Sequence, residues 1–391
     1  MRIGMILDKS FPPDPRVENE ALLLLEQGHE VFLFCRGTKR EIIEHQGIQV
    51  CRYTWSNLIY KLSALAYEFP FYHRSLARRI KDFIQNHNLD ILHVHDIRIA
   101  GAVDQANQLD NLPCVLDLHD NYPEIMQYYP HYNKFPGNWL IRPELWKRAE
   151  GKFIRKWHKT ITVSPDFVDL LKKRFPEQED SIICVPNSIR RSFYTEAVLN
   201  SDMINRTSAF FSLLYVGDTG LRRGLLSAIE AVKILVEDIP EIRLFIVGSN
   251  SSDQVLKDKV QELELSDYVI FEGWKDMSTF PSYMKGAKIG LSPLLRNIQH
   301  DVAYANKLFQ YMGYSLPLVV SDCPAQEKLV KEHNLGLTHR AGDAQDMAAQ
   351  IKHIYLHPEE AQVMGKNGFD FIDKEFCWEE SSKSLVHLYK A

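Results

Sequence analysis

Short apolar runs rich in Ile, Val and Leu recur every few tens of residues along this chain, separated by stretches whose apolar positions repeat with a helical period. Runs apolar on both sides of the pleat are the mark of strands covered on two faces, and with helices between them they predict a parallel sheet. The expected strands are 2–7, 30–35, 48–52, 91–95, 113–118, 160–163 and 181–185. A polar stretch from Asn200 to Ser208 reads as a linker, after which strands are expected at 211–216, 242–248, 268–272, 287–292 and 316–320. Helices are expected near 222–237, 252–264, 302–313 and 324–332. The fold class is therefore α/β, with two doubly wound, Rossmann-like domains in tandem. The expected limits are 1–199 for the first domain and 200–375 for the second, with a closing helical segment at 376–391. Ligands of such sheets sit at the carboxyl ends of the strands, so two of them facing one another are expected to frame a cleft.

The chain has 391 residues, enough for two cores. Its 46 basic and 51 acidic residues leave a net charge of -5, which gives no general attraction for nucleic acid and makes any anion site a local one. Six cysteines fall singly, without a C-x-x-C pair, which suits buried thiols in a reducing, cytoplasmic setting. Nowhere do 18 apolar residues run together, so no spanning helix is expected.

Three regions carry candidate chemistry. From Asp301 to Pro317 the chain reads as one helix with Leu308, Phe309 and Met312 inward and with Asn306 and Gln310 on a shared face. Lys307 falls in the first turn, where the helix dipole disfavours a cation unless an anion arrives, and a diphosphate is the anion expected. After the strand at 211–216, the turn Gly217-Asp218-Thr219-Gly220-Leu221-Arg222-Arg223-Gly224 repeats that pattern, with glycines that allow close backbone approach and arginines at a helix start. Its spacing is not that of the G-x-G-x-x-G dinucleotide fingerprint. In the first half, His93-Val94-His95-Asp96 and Asp117-Leu118-His119-Asp120-Asn121-Tyr122-Pro123-Glu124 put histidines and carboxylates at strand ends, where they can meet sugar hydroxyls or developing charge. His-x-His after a strand is also a metal pattern, yet no third or fourth ligand is evident and no metal is expected. Arg16, in a proline-stiffened loop with Asp14 as cap, is expected at the cleft mouth. Between Trp139 and Lys159, basic residues alternate with Trp146, Phe153, Ile154 and Trp157, a pattern that fits either a helix packed on the sheet or a peripheral contact with an anionic membrane.

The order of Phe11-Pro-Pro-Asp-Pro-Arg-Val17, His119-Asp-Asn-Tyr-Pro-Glu124, Val163-Ser164-Pro165, Val185-Pro186-Asn187, the Gly217 to Gly224 turn, Val247-Gly248-Ser249, Phe271-Glu272-Gly273-Trp274 and Asn306-Lys307-Leu-Phe-Gln-Tyr-Met312 resembles the family 4 retaining glycosyltransferases of the GT-B fold, over almost the whole chain. The resemblance implies transfer of a sugar from a nucleotide-diphosphate donor to an acceptor hydroxyl, in surface polysaccharide or glycolipid synthesis, with no metal or other cofactor. It implies that Arg223 and Lys307 grip the diphosphate, that Ala305 and Asn306 bring backbone amides to it, and that His119 contacts the transferred sugar. Gly217, Thr219, Gly220, Arg222 and Gly248 would line the donor site, and Trp274 would lie near the base. The family's two glutamates fall here at Val302 and Gln310, so His300 or Asp301 is expected to take over a sugar contact. Asp218 stands where the family often has an arginine. On the acceptor side, a glycan or lipid-linked acceptor would meet Arg16, His95, Asp120 and Glu124. The last helix is expected to cross back onto the first domain. Two other readings remain: a non-catalytic nucleotide-sugar-binding protein of the same fold, and a nucleotide-sugar epimerase.

Overall fold

The computed structural model describes residues 1–128, 132, 135 and 137–390. The chain forms two compact units, one of Met1–Pro186 with Ser382–Ala391 and one of Asn187–Ser381. The divisions thus fall at 186/187 and 381/382, where the sequence suggested 199/200 and 375/376. The expected linker is instead structured: Ser201–Ser208 is a helix, capped by the Asn200 side chain accepting from the Met203 amide.

Unit 1 has an eight-stranded sheet. Its strands are β1 (Arg2–Ser10), β2 (Glu30–Arg36), β3 (Glu41–His45), β4 (Ile48–Tyr53), β5 (Ile91–His95), β6 (Cys114–Leu118), β7 (Lys159–Thr162) and β8 (Ile182–Cys184), in the order β3-β4-β2-β1-β5-β6-β7-β8. All pairings are parallel except β3 with β4. The order reverses between β1 and β5, which opens a crevice at their carboxyl ends. The closing segment belongs to this unit: Ser384 Oγ donates to the Cys184 carbonyl at 2.6 Å, and the Tyr389 hydroxyl lies 2.7 Å from His93 Nδ1.

Unit 2 has a six-stranded, all-parallel sheet of β9 (Phe211–Val216), β10 (Ile242–Val247), β11 (Val269–Gly273), β12 (Ile289–Ser292), β13 (Leu318–Ser321) and β14 (Gly336–His339), in the order β11-β10-β9-β12-β13-β14. Helix Leu225–Leu235 and helix Ala344–Leu356 cover one face through Leu225, Ile229, Val232 and Ile351, and Leu308, Phe309 and Met312 cover the other. The crevice of this unit lies between β9 and β12. Among the described residues, no helix is long and apolar enough to cross a membrane.

Candidate functional site

In unit 2 the expected helix from Asp301 is broken in two. Helix Ile298–Val302 ends in extended backbone at Ala303, and a second helix starts at Asn306 and runs to Met312, so Lys307 stands in the first turn of the second one. Its side chain runs inward. Lys307 is 8% exposed, its Nζ lies 3.2 Å from the centroid of the Tyr215 ring, and it has no hydrogen-bond partner among the described residues. The ring face attracts the ammonium but supplies no acceptor. Burial, and next the positive charge of Arg223, hold its pKa well below the usual lysine value. An ammonium so placed gains most from an anion.

The space beside it is made by glycine. Gly217 has φ +110°, and a methyl group there would lie 3.7 Å from Lys307 Nζ; Gly248, at φ +149°, passes so near the Gly217 carbonyl that any side chain would collide with it. Arg222 and Arg223 sit in a separate 3-10 turn, Leu221–Arg223, ahead of the helix rather than at its start, because Gly224 turns left-handed against the Pro293 carbonyl. Arg223 Nε donates to Asp218 at 3.2 Å. Asp218 also accepts from Asn250 Nδ2 at 2.6 Å and from the Gly220 amide at 3.3 Å. Burial alone would raise its pKa, but Arg223 first and then these donors hold it below the usual carboxylate range. The acid therefore sets the arginine's position while cancelling part of its charge.

Several expected donor contacts are otherwise engaged. Thr219 is fully buried and its hydroxyl bonds to Asp253, so it braces the loop and does not face a ligand. His300 is 3% exposed; Nδ1–H donates to the Leu295 carbonyl at 2.7 Å and Nε2 accepts from Arg222 at 3.1 Å. Burial lowers its pKa to about 4, which keeps it neutral and able to orient Arg222. Asp301 is held by Arg296 through both oxygens, at 2.7 and 3.0 Å, so it is not free to replace a sugar-binding glutamate. Val302 and Ala305 are half-buried, Asn306 is exposed, Gln310 is buried, and Trp274 is exposed just after β11.

In unit 1 the strand ends bring together a buried charge cluster. Asp117, 0% exposed, accepts from Arg16 Nε at 3.1 Å and Nη2 at 2.6 Å, from His119 Nε2 at 2.7 Å and from His95 Nδ1 at 3.2 Å. Burial opposes its ionisation, but Arg16 and then His119 keep it well below the normal range. His119, in turn, is raised to about 9: burial disfavours its charge, yet Asp117 and next Asp96 more than offset that. The expected position of Arg16 at a cleft mouth is therefore corrected. It lies 8% exposed beneath the strand ends, where it also reaches the Val185 carbonyl at 2.9 Å and Glu20 at 3.0 Å. His95 is fully buried, with burial lowering its pKa to about 3, and it positions Asp117 and His119 instead of meeting an acceptor. Glu124 is paired with Lys147 at 2.6 Å. Asp120 alone of the four lines an open hollow.

Glu20, His93, His95 and Asp117 place one donor atom each within 4.8 Å of one another, a donor set suited to a divalent ion. Arg16 and protonated His119 already balance the two carboxylates there, and burial raises the Glu20 pKa to about 7. The third and fourth donors that the His-x-His pattern left unidentified are thus Glu20 and Asp117, and Arg16 already neutralises part of their charge.

The basic segment resolves toward packing. In helix Pro143–Lys156, Trp146, Phe153 and Ile154 are buried, as is Trp157 just beyond it, while Lys152 and Lys156 pair with Asp104 and Arg155 pairs with Glu177. A row of paired cations with its aromatics inside offers little to a membrane.

The signature described as Glycosyltransferase Family 4 matches residues 16–193, and that described as Glycosyl transferases group 1 matches residues 205–371. This chain is a family 4 glycosyltransferase of the GT-B fold. It is 23% identical to a phosphatidyl-myo-inositol mannosyltransferase of Mycolicibacterium smegmatis over 90% of this chain and 84% of the relative. The fold is similar to that of a sucrose-phosphate synthase from Thermosynechococcus elongatus, with a TM-score of 0.79 at 19% identity covering 100% of this chain and 98% of the other. It is also similar to that of Anabaena Alr3699/HepE in complex with UDP, at 0.73 and 13% identity, covering 99% of each. As a member of the family the chain is a hexosyltransferase-type enzyme that moves a sugar from a nucleotide-diphosphate donor to an acceptor hydroxyl with retention.

Proposed function

We propose that unit 2 holds the donor's diphosphate against Gly217 with Lys307 and Arg223, and that unit 1 receives the acceptor. The observation that carries this is the buried Lys307 ammonium, without a hydrogen-bond partner, beside a glycine turn at the carboxyl end of β9. As the bond to the sugar breaks, charge gathers on the departing phosphate, and fixed cations in a dry site stabilise it. That oxygen then takes the acceptor proton on the same face, so no carboxylate nucleophile is needed and no metal takes part in the proposal. His119, cationic at neutral pH, acts on the sugar being transferred. The acceptor belongs to glycolipid or polysaccharide synthesis; the mannosyltransferase relative named for phosphatidyl-myo-inositol supports that class. The setting is cytoplasmic, which suits six free cysteines, five of them buried. A peripheral membrane contact now rests on Trp139, 76% exposed ahead of the basic helix. Release of nucleoside diphosphate from a panel of nucleotide sugars is the test. Turnover of at least one, lost in Lys307→Ala, is expected; equal turnover by that variant would reject the assignment, and release of an epimerised donor would favour an epimerase.

A further inference from the structure

One edge of unit 1 carries apolar side chains that its own fold holds out in solvent. Helix Asn57–Leu62 continues through a 3-10 turn, Ser63–Leu65, toward helix Phe71–His87 and packs beside it. Between them the Tyr67 hydroxyl donates to the Ile97 carbonyl at 2.6 Å, and Glu68 accepts from the Arg142 amide at 2.8 Å and from Trp146 Nε1 at 3.2 Å. Just beyond, Tyr72 donates to Asp8 at 2.7 Å and His73 Nε2 to the Arg98 carbonyl at 3.1 Å. With inward anchors on both sides, Phe69 and Phe71 are left to face water. They are 42% and 62% exposed, and their rings stack only on each other, at 6.3 Å. Leu58, on the first helix, is exposed as well.

The cations of this edge are bare too. Arg74, Arg78 and Lys81 follow Phe71 at spacings of three, four and three, which puts all four on one helix face. None of the three cations, nor Lys61 beside them, has an ion pair or hydrogen bond among the described residues. Arg74 and Arg78 repel one another at i, i+4, and no acid stands in the first turn of their helix. Helix Pro143–Lys156 is the opposite case, with its aromatics inside and its cations paired. Arg78 also borders a hollow of about 420 Å³. There Arg40 is held by Asp82 and Arg79 by the Thr54 carbonyl, so Arg78 is the cation left to meet an anion.

An edge of this kind fits a partner that is anionic and apolar at once. A second copy of the chain, meeting it across a two-fold axis, would set the cations against themselves. A bilayer of anionic phospholipids offers both properties in the right order, phosphates outside and acyl chains beneath. We infer that unit 1 docks on such a surface through this edge, with Leu58, Phe69 and Phe71 entering the acyl boundary and Arg74, Arg78, Lys81 and Lys61 meeting the phosphates. The inference rests on the membrane contact proposed above and gives it a surface other than the basic helix.

Flotation of the full chain with vesicles of phosphatidylcholine, alone or mixed with phosphatidylglycerol, tests it. Partition to the mixed vesicles is expected to exceed that to phosphatidylcholine by about tenfold or more at low salt and to weaken as salt rises. Arg74→Glu combined with Arg78→Glu is expected to abolish the preference. Phe71→Ser is expected to lower partition about tenfold, and Phe71→Trp to keep it. Lys152→Gln combined with Lys156→Gln is expected to float as the parent does. The residues changed at this edge are exposed, so these variants are expected to melt with the parent. No flotation with mixed vesicles, equal flotation with both kinds, or an unchanged preference in the Arg74/Arg78 variant would overturn the inference. A lipid-free dimer that Phe71→Ser dissociates would overturn it as well. Nucleotide-sugar turnover on the same preparation separates the two readings. Turnover without flotation removes only this inference, whereas flotation without turnover removes the proposed transfer and leaves the docking surface standing.

Discussion

Lys307 Nζ rests 3.2 Å from the centroid of the Tyr215 ring, with neither a carboxylate nor a carbonyl to accept from it. A cation kept dry in this way lowers the stability of the empty protein and is repaid when an anion binds. Lys307→Met keeps the length of the side chain and removes the charge. It is expected to stabilise the ligand-free protein by about 1 kcal/mol, a rise of roughly 2–4 °C in Tm, while donor turnover falls about 10²–10³-fold. A variant that melts lower than the parent, or that keeps parental turnover, contradicts this account.

The same lysine makes ligand binding proton-linked. Its pKa in the empty protein lies well below 10.5, and a bound diphosphate restores it upward. Between the depressed value and 10.5, binding must therefore take up protons. Calorimetry of UDP binding above pH 8, repeated in buffers of different ionisation enthalpy, is expected to show net uptake of up to one proton that disappears in Lys307→Met. No buffer dependence in the parent would contradict it.

Asp218 offsets Arg223 at 3.2 Å, so the acid weakens the field at the anion site that it helps to shape. Asp218→Asn keeps an acceptor oxygen for Asn250 and the Gly220 amide but removes the negative charge. The Kd for UDP is expected to fall several-fold, more at low ionic strength than at high. Weaker binding would mean that the placement of Arg223 by the acid outweighs the charge it cancels.

His119 sets the pH response of unit 1. Its unfolded imidazole titrates near 6.5 and its folded one near 9, so the native state binds more protons in between. The stability it contributes is complete below pH 6.5 and is lost as pH rises through 9, at up to about 1.4 kcal/mol per pH unit. Glu20, raised from its usual value to about 7, adds a decline of the same sign at lower pH. Urea melts between pH 7 and 9 are expected to show falling stability in the parent and a flatter profile in His119→Gln. The activity profile should show no limb near 6.5, because the imidazole stays charged there.

The two sheets were readable because strands buried on both faces leave continuous apolar runs, and β9, β10, β5 and β6 fall within about a residue of where those runs lie. β3 and β14 were not, since Glu-Ile-Ile-Glu-His and Gly-Leu-Thr-His carry short, mixed patterns at sheet edges. Lys307 announced itself as a cation in a first helical turn. The engagement of Arg16 with Asp117 did not, because the two are 101 residues apart and only the folded sheet brings them together. The break at Ala303 was masked by the helical spacing of Leu308, Phe309 and Met312, which extends smoothly back toward Asp301.

Unit 1 is not finished by the residues that build its sheet. His93, 0% exposed at the centre of that sheet, has its Nδ1 satisfied by the hydroxyl of Tyr389, 296 residues further on. A nascent chain on the ribosome can lay down all eight strands and still lack this last stopper. Until residue 389 has been made and has left the ribosome, the imidazole under β5 lacks the hydroxyl that satisfies it.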